Sequence, residues 1–576
     1  MHRNTVTKKL VLCCFLLLNT LYLSAQKSTS EKLTAIIETV ERYKTYDNEE
    51  YPLGQFQESL VRKKSDFAES QLKDLKKLKV SELSETEQIS AELLRFRLQN
   101  TVDEYTYKMH LNPIQADQGF HLNLNYRIKP ILNLEDAEYY IKVLNAIPTF
   151  VSEHIVLLRA GLKQGLSQPK IIFNGYESTY DVHIVTDYTQ SGFYKPFTSL
   201  PASMTKAEKD IVLAGAKLAI ENSVVPSFKR IKQFFEEEYI PNTRTSLGVS
   251  ETVNGKEFYQ NRINYYTTTE QYSADDIHKI GLNEVARIRS EMKEIIERVD
   301  FKGSFEDFLS FLRTDDRFYA STGEELLMHA RDIAKRIDAE LPKFFRTLPR
   351  RPYGVIKVPD AIAPKYTGGR YSGPSSETQP GFYLVNTYKL KSRPLYTLPS
   401  LTAHEAVPGH HLQGSLNREL GDSIPQFRKN MYLSAYGEGW ALYTEFLGNE
   451  LGIYTTPYEE FGKLTYEMWR ACRLVVDTGI HAKGWSRERV MDYMLSNTAL
   501  SEHEVGTETD RYIAWPGQAI SYKMGEIKIR ELRKKAEAAL GNKFDLRQFH
   551  EIILEQGTVT LPILEKRINN YIAASK

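Results

Sequence analysis

Apolar residues recur at intervals of three and four through most of the chain from Ser30 to Arg350, and that spacing predicts helices. The segments SETEQISAELLRFRLQNTVDEY, NLEDAEYYIKVLNAIPTFVSEHIVLLRAGL and TKAEKDIVLAGAKLAIENSVVPSFKRIKQFFEEEYI carry it most clearly. SADDIHKIGLNEVARIRSEMKEIIERV and TGEELLMHARDIAKRIDAELPKFFRTL continue it. Several open with Ser, Thr or Asn followed by acidic residues, which satisfies the free N–H groups of a helix start. Isolated histidines in these helices (His154, His278, His329) read as core or surface residues.

Between Pro349 and Pro399 the pattern changes. Pro, Gly and Tyr accumulate, and PGFYLVNT has the β-branched and aromatic content of a strand, so a small sheet is expected here. Residues 368–371 read as a loop over a cleft, with Arg370 as a partner for a substrate carboxylate. Helical spacing then returns. In the run LTYEMWRACRLVVDTGIHAKGW, Arg470, Arg473, Asp477 and His481 follow spacings of three and four and share one face. A buried polar stripe must be paired, so an Arg473 to Asp477 ion pair is expected; His481 is a candidate donor to a developing oxyanion. Farther on, Gln518 to Ala539 fits a helix that sets Gln518, Tyr522, Gly525 and Glu526 near one face.

The chemistry concentrates between Thr397 and Glu445, in TLPSLTAHEAVPGHHLQ and AYGEGWALYTE. A catalytic zinc takes three protein ligands, keeps one position for water, and works with a carboxylate outside the metal as general base. His404 and Glu405 begin such a set. Two His four residues apart lie about 40° out of phase on a helix and reach one ion. Here the next imidazoles are His410 and His411, with Pro408 and Gly409 between. On a regular helix His410 would point roughly 120° away, and His411 would sit about 10 Å along the axis. Proline and glycine allow a widened turn that absorbs extra residues. Absorbing two makes His410 the second ligand, the assignment favoured here, and leaves His411 behind the ligands or facing substrate. Glu438 is the third candidate ligand, and Glu445 is placed to orient a ligand His through its other nitrogen.

These residues imply a zinc hydrolase holding one Zn2+ and using Glu405 as base. HEAVPGHHLQ, GEGWALYTE and WPGQAISYKMG resemble the bacterial family called domain of unknown function 885, members of which are often labelled lipoproteins. The order His, Glu, His and downstream Glu is more distantly similar to gluzincin peptidases such as thimet oligopeptidase, angiotensin-converting enzyme and carboxypeptidase Taq. That likeness implies a mainly α-helical, two-lobed fold with a small β-sheet beside the cleft, and hydrolysis of short peptides. It also implies that Tyr522 or His481 steadies the tetrahedral intermediate. An edge strand, Phe382 to Asn386, would hold the substrate backbone, with Asn386 among the substrate contacts. Arg511 offers a forked guanidinium to a peptide carboxylate. A zinc amidase or a zinc-binding scaffold protein is the alternative.

Composition bounds the rest. With 576 residues and 41% hydrophobic content, the chain can bury a large core. Lys plus Arg number 75 against 74 Asp plus Glu, so charge gives no case for nucleic acid. The start reads as a secretory signal of residues 1–25: His2, Arg3, Lys8 and Lys9, an apolar run, then Ser24-Ala25. Cys13 and Cys14 fall too early in that run for a lipidated N-terminal Cys. The expectation is a periplasmic protein with no transmembrane segment after signal removal, a helical lobe over residues 26–350 and a zinc-binding region over 351–576. Cys472, the remaining Cys, has no partner for a disulfide.

Overall fold

The protein is described by a computed structural model covering residues 28–116, 118–360, 363, 366–374 and 378–576. The expected signal segment lies outside the described residues. Helices begin where capping residues stop the free N–H groups from being wasted. The first are α1 (Thr29–Arg42), α2 (Glu58–Leu75), α3 (Glu85–Thr106), α4 (Leu134–Lys163) and α5 (Lys206–Ala219). Then come α6 (Gly255–Thr267), α7 (Ala274–Arg298), α8 (Phe305–Thr314) and α9 (Gly323–Phe344). Ser84 with Glu87, Thr205 with Glu208 and Ser273 with Asp276 form reciprocal capping boxes. Helix α5 runs on through π turns to Tyr239.

A three-stranded sheet follows: β1 (Tyr353–Lys357), β2 (Gly369–Ser372) and β3 (Gly381–Val385), in the order β1-β3-β2. β3 pairs parallel with β1 and antiparallel with β2, Tyr371 opposite Tyr383. The strand predicted at the edge is therefore the central one. Of residues 368–371, expected as a loop, 369–371 belong instead to the edge strand β2.

The remaining helices are α10 (Leu398–Glu405), α11 (His410–Arg418), α12 (Ser434–Leu447), α13 (Pro457–Lys483) and α14 (Arg487–Asn497). They are followed by α15 (Glu502–Ala514), α16 (Ser521–Leu540), α17 (Leu546–Leu554) and α18 (Leu561–Ser575). α16 starts later than predicted because Trp515 to Ile520 form a turn, which removes Gln518 from the helical face.

Two large cores form, and both draw on residues from either side of position 350. One joins Ile147, Phe228 and Ile288 to Met468 and Val475. The other joins Leu93 and Ile337 to Ala403, Leu412, Trp440 and Ile568. Each fully buried aliphatic or aromatic side chain contributes roughly 1.5–3 kcal/mol, so this interleaving ties the metal segment to the first hundred residues. The expectation that no later stretch is apolar and long enough to cross a bilayer is corrected. Leu134–Lys163 and Lys206–Asn242 meet that measure by length and composition, and half of each apolar window is buried within the protein. Helix α4 turns Leu144, Ile147, Val151 and Leu158 into the core, which accounts for its hydropathy.

Candidate metal centre

Helix α10 enters through Pro399 in its first turn and stops at Glu405, where Ala406 takes φ −95° and ψ −117°. Residues 406–409 leave the helix as a loop with a cis Val407-Pro408 bond, and a new helix starts at His410. The expected widened turn is thus a full break. Pro408 cannot supply a helical N–H, and the loop is held from outside: Trp440 Nε1 donates to its carbonyl at 2.8 Å. Gly409 N–H donates back to Ala403 O at 2.9 Å. A Cβ on Gly409 would lie 1.9 Å from the His404 carbonyl, so only glycine permits this close re-entry.

The re-entry sets the His410 ring perpendicular to that of His404, with centroids 4.8 Å apart. Glu438 on α12 completes the group. Its Oε2 lies 3.5 Å from His404 Nε2 and 3.4 Å from His410 Nε2, and all three donor atoms fall within 4.8 Å of one another. Ligands at about 2.1 Å around a tetrahedral zinc stand roughly 3.4 Å apart, so the group fits such an ion.

The surroundings fix each donor. His404 Nδ1 donates to Glu445 Oε1 at 2.7 Å, which leaves the Nε2 lone pair facing the group. Glu445 Oε2 accepts from Ser400 Oγ at 2.6 Å, and Arg470 Nη2 stands 3.7 Å from Oε1. Tyr432 Oη donates to Glu438 Oε1 at 2.8 Å. Burial alone would push the His404 imidazole down, but the Glu438 and Glu445 carboxylates raise it to about 9. Burial likewise opposes ionisation of Glu438, and His410 and His404 beside it hold its carboxyl well below the usual range. The group is arranged around positive charge.

Glu405 is buried beside it, and its Oε2 accepts the Tyr371 N–H of edge strand β2 at 2.7 Å. Its other oxygen has no partner among the described residues. Tyr522 reaches the same region because α12 and α16 touch backbone to backbone. A Cβ on Gly525 would lie 1.9 Å from Ala435 O, and one on Gly439 2.6 Å from Gly525 Cα. Tyr432 accordingly feels Glu438, Tyr522 and Glu405 together. The Tyr522 ring stacks under the Arg473 guanidinium at 4.5 Å, and its hydroxyl has no hydrogen-bond partner among the described residues.

Other candidates are placed elsewhere. His411 Nε2 donates to Arg351 O at 3.0 Å and its Nδ1 accepts from Tyr371 Oη at 3.3 Å, so it braces β2. Burial lowers it to about 4. His481 is fully buried, with Nε2 donating to Tyr512 O at 2.9 Å and Nδ1 accepting from Val249 N at 3.3 Å. Both nitrogens are spent, so it cannot serve an oxyanion. The Arg473 to Asp477 pair does not form. Arg473 Nη2 pairs with Glu508 at 3.0 Å, while Asp477 accepts from Tyr259 Oη at 2.7 Å and from Gly517 N.

Asn386 also departs from its expected role. Its Nδ2 donates to the carbonyls of Ala363, Tyr366 and Thr367, and its Oδ1 accepts from Tyr388 N, so it clasps the chain entering β2. β3 has neighbours on both sides and no edge to offer a substrate. Arg511 is bound to Glu508 at 2.8 Å and to Gln518 at 2.7 Å. Arg370 is exposed on β2, 5.7 Å over the Tyr366 ring. Sequence reasoning missed Tyr432, Ser400 and Trp440. Tyr432 is one of 35 tyrosines and nothing in its neighbours singles it out.

A family model spanning most of the sequence matches residues 42–568. The chain belongs to DUF885. That family is described as a bacterial protein of unknown function. Among solved structures, the "putative lipoprotein" from Colwellia psychrerythraea is 28% identical, with a TM-score of 0.87 over 95% of this chain and 100% of that one. A "putative lipoprotein of unknown function" from Shewanella oneidensis is 17% identical, with a TM-score of 0.69 over 94% and 99% of the two chains. The second likeness is one of fold alone. No curated protein matches the chain. The fold is thus shared with both structures over 94–95% of this chain.

Proposed function

We propose that the protein is an exported zinc-dependent peptidase acting on short peptides. The observation that carries this reading is the convergence of His404, His410 and Glu438 on one point, with Glu405 alongside. Three donors leave a coordination position for water, whereas a structural zinc closes with four. Bound zinc would lower the pKa of water and polarise the scissile carbonyl.

The protein's own residues supply the rest. Glu405, aligned by Tyr371 N–H, takes the proton from the attacking water on its unpartnered oxygen and returns it to the leaving amine. Glu445 keeps His404 in the tautomer that presents Nε2, and Tyr432 fixes the Glu438 carboxylate. Tyr522 donates its hydroxyl to the developing oxyanion. A peptide is favoured over other amides because the outer edge of β2 lies against the base, where an extended backbone can pair. The charged and apolar N-terminal run supports export, in line with the lipoprotein description of the similar structure from Colwellia psychrerythraea.

The test is zinc content together with hydrolysis of a mixed short-peptide library by wild type and Glu405→Gln. One zinc in both proteins and turnover reduced about 10²–10⁴-fold in the variant is the expected result. No zinc after reconstitution, or undiminished turnover by the variant, would overturn the reading.

A further inference from the structure

A cavity of about 650 Å³ opens between the chain following α3, the start of α6 and the turn after α15. None of the residues lining it belongs to the metal group. Its walls include three cations, Lys108, Arg244 and Arg262, and among the described residues no Asp or Glu lines it. Nor does any of the three form an ion pair with a carboxylate among the described residues. Buried Lys523 shows the contrast: Glu284, Glu467 and Glu526 lie within 3.0 Å of its ammonium.

The guanidinium groups are also held rigidly. Arg244 Nε donates to Ser167 O at 2.9 Å, and Nη1 donates to Ser246 O at 2.6 Å and Gly248 O at 3.1 Å. Its Nη2 has no protein partner among the described residues. Arg262 donates through Nε to Asn261 Oδ1 and through Nη2 to the side-chain oxygens of Asn261 and Asn100, leaving Nη1 without a partner. Burial lowers the Arg244 guanidinium to about 10, outweighing the Glu251 carboxylate nearby, which raises it. Met109, Phe258 and Trp515 supply apolar and aromatic surface. His481 gains a role here, since it ties the cavity wall at Val249 to the α15 backbone at Tyr512.

We infer that this cavity binds a small organic carboxylate that carries an apolar or aromatic body, at a place separate from the metal group. A fixed guanidinium edge with a spare N–H matches a carboxylate, and a cation without an ion pair, such as buried Arg262, gains from one. The cavity volume suits a ligand of drug-like size.

The experiment is calorimetric titration of the full protein with N-acetylphenylalanine and, separately, with its neutral primary amide. The expected result is binding of the acid at least about tenfold tighter than the amide, as a lost charged hydrogen bond implies. Val253→Glu adds a negative charge at a lining residue that is 72% exposed and so leaves folding intact. It should weaken the acid about tenfold, with Val253→Gln close to wild type. Arg244→Gln should abolish the preference for the acid, and Val253→Glu keeps the test sound if that variant fails to fold. Glu405→Gln, at the metal group, should bind the acid as wild type does. Equal binding of acid and amide, no binding of either, or indifference to Val253→Glu would overturn the assignment. So would a loss of acid binding in Glu405→Gln.

Discussion

Two buried groups of histidine and acid sit in this molecule, and they are built in opposite ways. Around Asp477 and His481 every strong hydrogen-bonding direction ends on protein: Tyr259, Gly517, Val249 and Tyr512 take them up. Around His404 and Glu438 the outer atoms end on Glu445 and Tyr432, while the inner Oε2 of Glu438 faces the Nε2 atoms of His404 and His410 at 3.4–3.5 Å. Neutral imidazole nitrogens and a carboxylate oxygen so close repel unless a proton or metal lies between them. Residue types are alike in the two groups, although His410 and Glu438 are only partly buried where Asp477 and His481 are fully so. The direction of the lone pairs separates a site from a strut.

The sharpest way to break this comparison is to remove one member from each group. Glu438→Ala is expected to take zinc stoichiometry from about one to nearly none. His481→Ala should keep its zinc while losing about 2–4 kcal/mol of stability, because it leaves the Val249 N–H and Tyr512 carbonyl buried and unpaired. Metal analysis beside denaturant unfolding reads both, and zinc loss in His481→Ala would sink the distinction. Next comes Tyr522→Phe, expected to lower kcat by about 10²–10³-fold with zinc content unchanged. An unaltered kcat would remove Tyr522 from the oxyanion role. Glu445→Gln tests the outer support and should weaken zinc about 10–100-fold by competition with a chelator. Unchanged affinity would show that Glu445 serves packing only.

Much of the helical scaffold was legible because capping is local chemistry. Ser84 and Glu87, or Ser273 and Asp276, announce their helices within four residues. The cluster was legible for a similar reason, since His404, His410 and Glu438, with Glu405 beside them, all fall within one short stretch. What failed was everything decided by partners far along the chain. Arg473 and Asp477 stand four apart, yet Glu508 and Tyr259 reach them with better geometry. Pro408 and Gly409 announced a widened turn, but the full break and re-entry are held by Trp440. β3 was expected as an edge from the likeness to gluzincins, and the parallel pairing with β1 that makes it central joins residues nearly thirty apart in a Pro-rich and Gly-rich stretch.

The smallest expected effect tests how closed the second group is. Burial raises Asp477 from 3.8 to about 7, against the hydrogen bonds from Tyr259 and Gly517 that favour its charged form. The folded protein therefore holds a proton that the unfolded chain releases once the pH passes 3.8. Stability from this group falls as pH climbs toward about 7, with the full cost above that value and none below 3.8. Asp477→Asn keeps an acceptor for Tyr259 and cannot ionise, so its melting temperature should lack that component of the slope. Between about pH 5 and pH 8 the wild type should lose about 2 °C more than the variant, a modest shift because a chain this long has a large unfolding entropy. Parallel slopes for the two proteins would mean that Asp477 is already charged in the fold, with a counter-charge closing the group in place of a proton.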